Sequence, residues 1–153
     1  MTKRLRYAMV GGGIGAFIGE VHRKAIAMDG SAELVAGALS SSPEKSKQSA
    51  EQLGLDPDRS YGTYQELFER ESQRDDRVDF VSIVTPNDTH YPIAKMALEH
   101  GFHVVLDKPA THTSEQAREL ALLARSKGLL CFVTYNYTGY AMVRQAAAMV
   151  REG

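Results

Sequence analysis

The sequence predicts an α/β fold, a doubly wound and mainly parallel six-stranded sheet with helices on both faces. Short apolar runs alternate with longer amphipathic stretches along the chain, which is typical of parallel strands connected by crossover helices. A glycine-rich segment, Gly11-Gly12-Gly13-Ile14-Gly15-Ala16, follows the first apolar run and precedes the first amphipathic stretch. A glycine-rich turn between the first strand and the first helix makes this a Rossmann-type prediction.

The predicted elements follow in order along the chain. The strands are expected at Leu5–Val10, Glu33–Leu39, a weak one at Arg59–Tyr61, Phe80–Val84, His103–Leu106 and Leu130–Tyr135. The helices are expected at Gly15–Met28, Pro43–Leu53, Tyr64–Arg70, Tyr91–His100, Ser114–Lys127 and Tyr140–Arg151. Ser42-Pro43 and Thr113-Ser114 are typical helix starts, and Gly30, Gly101 and Gly128 are typical helix ends.

Composition narrows the class of protein. The 153 residues suffice for one domain, expected to span residues 1–153, and 43% of them are hydrophobic. The 18 basic and 19 acidic side chains nearly cancel, which argues against a nucleic-acid partner. No apolar run reaches the roughly 18 residues of a membrane helix, so we expect a cytoplasmic protein. The single cysteine, Cys131, is expected to be buried and provides neither a disulfide nor a cysteine-based metal site.

The glycine-rich segment is the first candidate site. In the pattern G-x-G-x-x-A, Gly11 permits the turn, Gly13 lets the backbone approach a pyrophosphate, and Ala16 lets helix and strand pack closely. The backbone of Ile14 and Gly15 at the helix start is expected to complete the phosphate site. The same loop also occurs in S-adenosylmethionine methyltransferases, which is one alternative function.

The end of the second strand bears on the choice of cofactor. An acidic residue there binds the ribose 2′-hydroxyl in NAD enzymes, and this chain has none. Ser40, Ser41 and Lys45 instead offer hydroxyls and a cation for a 2′-phosphate. The prediction is NAD or NADP, with a slight preference for NADP. Alternatively, the serines only cap the next helix.

Two later strand ends supply further candidates, because ligands bind beyond the carboxyl edge of a parallel sheet. Lys108, between a strand end and Pro109, is expected to be shielded from solvent, where it can exchange a proton with a substrate hydroxyl. Asp107 is expected to orient it. The alternatives are a surface ion pair at Lys108 and an ordinary helix-capping turn at the other strand end. That other strand end contains Thr85, Pro86, Asn87 and His90.

Together, Gly11-x-Gly13, Thr85-Pro86-Asn87-x-x-His90 and Asp107-Lys108-Pro109 resemble the N-terminal half of the Gfo/Idh/MocA family, named for glucose-fructose oxidoreductase and inositol dehydrogenase. The resemblance extends over the whole chain. It implies hydride transfer between NAD or NADP and a sugar, cyclitol or related polyol. It also implies that Lys108 is the catalytic lysine and that the Lys108–Pro109 bond is cis. The residues it implies for the nicotinamide half of the site are Thr85, Pro86, Asn87, His90 and Asn136.

The chain departs from the family pattern in several ways. Asp107 replaces the more frequent glutamate, and the longer glycine loop, with Phe17, Ile18 and Gly19, displaces His22 from the usual histidine position. The family's C-terminal substrate domain is expected to be absent from this chain. If the chain is the front half of a longer enzyme, residues of the missing half are expected to complete the proton relay with Lys108. If it ends at Gly153, we expect a dinucleotide binder with little or no turnover, whose uncovered apolar surface favours a homo-oligomer. The alternative is a non-catalytic dinucleotide sensor or regulatory subunit.

Overall fold

The computed structural model describes residues 4–153, which form a five-stranded parallel sheet in the order β2-β1-β3-β4-β5. The strands are β1 (Leu5–Gly11), β2 (Ala32–Ala38), β3 (Phe80–Val84), β4 (His103–Leu106) and β5 (Cys131–Val133). The helices are α1 (Phe17–Ala27), α2 (Pro43–Gln52), α3 (Tyr64–Ser72), α4 (Asn87–Glu99), α5 (Ser114–Ser126) and α6 (Ala141–Glu152). Two 3₁₀ helices, Pro57–Arg59 and Asn136–Gly139, lie between them.

Alternation along the strands creates a core on each face of the sheet. In β1, Ala8 and Val10 belong to one buried cluster, whereas Tyr7 and Met9 belong to the other. Helices α3, α4 and α5 cover the first cluster with residues that include Phe68, Leu98 and Leu120, and α1 and α2 cover the second. The doubly wound fold class is therefore confirmed.

The predicted sixth strand at Arg59–Tyr61 is wrong. Pro57–Arg59 form a 3₁₀ helix, and one parallel bridge, between Gly37 and Ser60, joins this segment to the edge of β2. The Arg59 guanidinium turns inward to the buried carboxylate of Glu71, which also accepts a hydrogen bond from the Tyr61 hydroxyl at 2.8 Å. These side-chain contacts hold the segment in place, so it does not pair with β2 as a regular strand.

Two helix starts differ from the prediction by two residues or more. Helix α1 begins at Phe17 because Gly15 has φ of 80°, which lies outside helical conformation. Helix α4 begins at Asn87 rather than Tyr91 and contains Pro92, which costs the helix one backbone hydrogen bond. His90 therefore lies on a helix, with its side chain fully buried.

The residues after α5 pack more loosely than the rest. Residues 130–153, here called the C-terminal segment, include α6, in which no residue is buried. Met142 is 78% exposed and Val150 is 84% exposed. Cys131 is half-buried rather than buried, and burial raises the pKa of its thiol. No helix within residues 4–153 combines the length and the apolar character needed to cross a bilayer.

Candidate functional site

A pocket of about 460 Å³ opens at the carboxyl ends of β1, β2 and β3. Residues Gly62–Gln65, which precede and begin α3, and Ile93 of α4 form its remaining walls. Six of the residues predicted from the sequence line this pocket: Gly11, Ala16, Ser40, Ser41, Thr85 and Pro86. The structure thus brings the glycine loop and two strand ends to one cavity.

The close contact between loop and helix is made by Gly19, not by Ala16 as predicted. A Cβ on Gly19 would lie 2.3 Å from the Cα of Gly12, so only glycine permits this approach. Ala16 instead lines the pocket at the start of α1. The loop is longer than the assumed pattern, because Gly15 turns outward and the helix begins two residues later.

Gly13 and Ile14 contact β2 and α2 through their backbone N–H groups. Its N–H donates to the carbonyl of Leu39 at 3.0 Å, and a Cβ there would lie 2.5 Å from the Ser49 hydroxyl oxygen. The Ile14 N–H donates to the same hydroxyl at 3.1 Å. Both N–H groups therefore anchor the loop to β2 and α2 and do not point to a phosphate. Gly15 is exposed.

The free N–H groups of the site lie at helix starts. Helices α2, α3 and α5 are capped by the side chains of Ser42, Thr63 and Thr113. Helices α1 and α4 begin after Ala16 and Pro86 with no side-chain cap, and both of these residues line the pocket. Because uncapped helix starts expose N–H donors and a positive dipole end, the pocket suits an anionic ligand.

The serine-rich segment after β2 both caps α2 and lines the pocket. Ser42 caps α2 by accepting from the Lys45 N–H at 3.4 Å, as the structural alternative expected. Ser40 and Ser41, however, line the pocket. The Lys45 side chain is exposed and borders an adjoining cavity next to Ser40. A hydroxyl pair and a cation thus lie near one rim of the pocket.

Buried His90 connects the loops after β3 and β4. Its Nδ1 lies 2.8 Å from the carbonyl oxygen of Pro109, and its Nε2 lies 2.9 Å from that of Thr85. The His90 ring is fully buried. It therefore connects the two loops and is not accessible from the surface. Asn87 is exposed at the first position of α4.

The loop after β4 holds the candidate catalytic lysine. The Lys108–Pro109 peptide bond is cis, which confirms that prediction. Lys108 is exposed, so the expected shielding from solvent is wrong: the cis bond turns the chain at the sheet edge with no described element over the lysine. Asn136 is likewise exposed, at the start of the second 3₁₀ helix. Neither residue lines the pocket of β1 to β3.

Comparison with known proteins decides the family. Residues 5–135 match the Gfo/Idh/MocA family, described as an oxidoreductase family with an NAD-binding Rossmann fold. The chain belongs to this family. The resemblance inferred from the three motifs is therefore confirmed, as is the assignment to an oxidoreductase family with an NAD-binding fold.

Several Gfo/Idh/MocA relatives match closely. An uncharacterized oxidoreductase, YfiI of Bacillus subtilis, is 43% identical over 154 residues, which is 100% of this chain and 39% of that protein. The structure of an inositol dehydrogenase homolog from Azotobacter vinelandii, complexed with NADH and myo-inositol, superposes with a TM-score of 0.94 at 43% identity and covers 100% of this chain and 40% of its own. D-xylose 1-dehydrogenase (NADP(+)) of Hypocrea jecorina is 36% identical over 98 residues, 63% of this chain and 24% of that protein. The chain thus spans about two fifths of the length of its first relatives.

A buried polar cluster beside Asp107 was missed by the motif analysis. The His22 ring, 6% exposed on α1, lies between Ser82 of β3 and Asp107. Burial lowers the pKa of His22, and the nearby Asp107 carboxylate partly opposes this effect. The spacing Gly19-x-x-His22 could have indicated the burial of His22, because it places the histidine on the same helix face as the glycine that contacts Gly12.

Proposed function

We propose that this chain binds a nicotinamide dinucleotide and forms the cofactor half of a dehydrogenase that transfers hydride between nicotinamide and a sugar, cyclitol or related polyol. The observation that supports it best is the pocket at the carboxyl edge, where the uncapped starts of α1 and α4 meet the glycine loop. These helix starts suit the pyrophosphate of a dinucleotide.

The residues of the chain fit such a cofactor. Gly11 has φ of 79°, and a Cβ there would lie 2.9 Å from the Thr85 side chain, so glycine lets the ends of β1 and β3 lie close together at the pocket. The bound nicotinamide would supply the hydride acceptor or donor. In the proposal, Thr85, Pro86 and Asn87 lie along its ribose side, and Asn136 and Asp107 line the nicotinamide end.

Lys108 is the proposed catalytic residue. In oxidation, its neutral amine would accept the proton of the substrate hydroxyl while hydride passes to nicotinamide. In reduction, the resulting ammonium would return that proton to the substrate oxygen. The contact of His90 with the Pro109 carbonyl holds the backbone next to Lys108 in place. The polyol class is supported by the relatives named for inositol and D-xylose.

A binding experiment tests the cofactor. Titration of the chain with NADH, NADPH and S-adenosylmethionine, followed by nicotinamide fluorescence and thermal shift, should show binding of a nicotinamide dinucleotide only. Binding of S-adenosylmethionine alone would contradict the proposal and favour the methyltransferase alternative.

A turnover experiment tests the lysine. In a chimera that joins residues 1–153 to the remainder of the B. subtilis relative, Lys108→Ala should lower kcat with inositol or sugar substrates roughly 100-fold or more while NADH binding persists. Lys47→Ala, at an exposed position of α2, is the matched control. Unchanged turnover in Lys108→Ala would rule out Lys108 as the catalytic residue, whereas a chimera that binds NADH without any turnover would favour a non-catalytic dinucleotide binder.

The choice between NAD and NADP is proposed to lie at the end of β2. Because Ser40, Ser41 and Lys45 bring hydroxyls and a cation but no carboxylate, we expect NADPH to bind more tightly than NADH. Lys45→Ala should reduce the preference for NADPH over NADH roughly tenfold, because one charge-assisted contact is lost. Equal affinities for the two cofactors in the unmodified chain would contradict it.

A further inference from the structure

We propose that His22 is a positioning residue for Asp107 and makes binding of the oxidised cofactor depend on pH through that carboxylate. This inference rests on the proposed function, because it assigns a regulator to the nicotinamide end of that site. It concerns a residue that the family motifs at Lys108 and at the glycine loop do not include.

Two side chains from different parts of the fold contact the Asp107 carboxylate. His22 Nε2, on α1, lies 3.5 Å from Asp107 Oδ1, and the Thr134 hydroxyl beyond β5 donates to that same oxygen at 3.0 Å. On the other side of the ring, Nδ1 lies 3.0 Å from the Ser82 hydroxyl oxygen of β3. Both contacts use Oδ1, and no donor within residues 4–153 is hydrogen-bonded to Oδ2.

The contacts fix the tautomer of the neutral ring. A carboxylate accepts hydrogen bonds and donates none, so Nε2 facing Asp107 must hold the ring proton. Nδ1 then accepts the proton of Ser82, a hydroxyl with no solvent exposure. This arrangement satisfies both buried groups and orients the carboxylate, as a histidine–carboxylate pair does behind many reactive sites.

The charges around His22 are few. Asp107 is the charged group that acts on its pKa, whereas β3 presents the neutral Ser82. Arg23, also on α1, donates to the Gly12 carbonyl, and burial raises the pKa of Tyr7 on β1, so Tyr7 is neutral at neutral pH. Protonation of His22 therefore cancels the negative charge of Asp107.

This cancellation distinguishes the two cofactor states. The nicotinamide ring of NAD⁺ is cationic and that of NADH is neutral, so a nearby carboxylate favours NAD⁺. When the pH falls through the pKa of His22, which burial places below its ordinary value of 6.5, that preference should disappear. The affinity for NAD⁺ should fall roughly tenfold while that for NADH changes little, as expected for a charge interaction near a protein surface.

The first test needs no cofactor. Imidazole ¹⁵N shifts of the chain should show His22 as the Nε2–H tautomer at neutral pH, and Asp107→Asn should lower its pKa further. Asp75→Asn, at an exposed position, is the matched control and should leave the His22 pKa unchanged. An Nδ1–H tautomer, or no response to Asp107→Asn, would overturn the positioning role even if dinucleotide binds.

The second test measures NAD⁺ and NADH affinity between pH 5 and 8. His22→Gln keeps an N–H donor for Asp107 but cannot titrate, so its affinities at pH 7.5 should stay within about twofold and the pH effect should vanish. His22→Leu removes the donor and should weaken both cofactors roughly tenfold, and the exposed His112→Gln should behave as the unmodified chain. The same NAD⁺ profile in His22→Gln and the unmodified chain would refute the inference, whereas no dinucleotide binding by any variant would refute the proposed function.

Discussion

The carboxyl edge of the sheet and the C-terminal segment both carry apolar side chains, yet these side chains pack in opposite ways. At the carboxyl edge, Ile83 and Leu106 are fully buried, and His22 and His90 are enclosed with both ring nitrogens in contact with partners. In the C-terminal segment no residue of α6 is buried, and its apolar side chains face solvent.

The difference shows which part of the chain contributes buried apolar side chains to its stability. Burial of apolar side chains is the main favourable contribution to folding, so the stability of residues 4–129 does not depend on α6. The exposed apolar side chains of the C-terminal segment form a surface that the described residues leave uncovered. Substitutions in the two regions should therefore differ in stability, in cofactor binding and in association.

The largest expected difference comes from core truncation. Leu106→Ala, at the end of β4, should lower the free energy of unfolding by about 2–5 kcal/mol because it leaves a cavity beside the site. Val150→Ala on α6, where the side chain is 84% exposed, should change it by less than about 0.5 kcal/mol. Urea denaturation followed by circular dichroism measures both, and equal effects would contradict the comparison.

The glycine contact gives the next effect. Gly19→Ala should destabilise the chain by roughly 1–3 kcal/mol, because its methyl group would overlap the Gly12 backbone, and should weaken NADH binding by moving the loop. Gly139→Ala, in the C-terminal segment, meets no neighbouring atoms and is the matched control. Normal stability of Gly19→Ala would show that the loop is not held by this contact.

Titration of His22 should give a smaller, pH-dependent effect. Because burial lowers its pKa in the folded state, the unfolded chain binds more protons below pH 6.5, and stability falls as the pH drops from there to the folded pKa. The contribution of this one group is at most about 1.4 kcal/mol per pH unit. Thermal unfolding between pH 5 and 8 should show a shallower dependence in His22→Gln, while His112→Gln should match the unmodified chain.

The smallest stability effect is expected in the C-terminal segment, where association is the useful measurement. Replacing Met142, Met149 and Val150 together with serine should change the free energy of unfolding by less than about 0.5 kcal/mol per site. If the apolar surface drives self-association, as the sequence predicts, sedimentation velocity should show fewer oligomers in the triple variant. An unchanged distribution would place any oligomer contact elsewhere.

The sequence motifs predicted which residues line the candidate site better than they predicted the contacts that those residues make. Thr85, Pro86, Ser40 and Ser41 line the pocket as expected, since residues after parallel strands meet at one edge. The N–H groups expected to face a phosphate at Gly13 and Ile14 are instead used by Leu39 and Ser49. Those partners lie on other elements, so local sequence could not reveal them.

The sequence by itself determined the order of strands and helices and the edge at which functional residues gather. Both follow from local properties: hydrophobic period, glycine-rich turns and capping residues. Only the tertiary structure decided that Gly19 makes the close contact, that Arg59 breaks the sixth strand, that Lys108 is exposed and that His22 reaches Asp107. These outcomes depend on how the helices, strands and loops pack against one another, which only the tertiary structure sets.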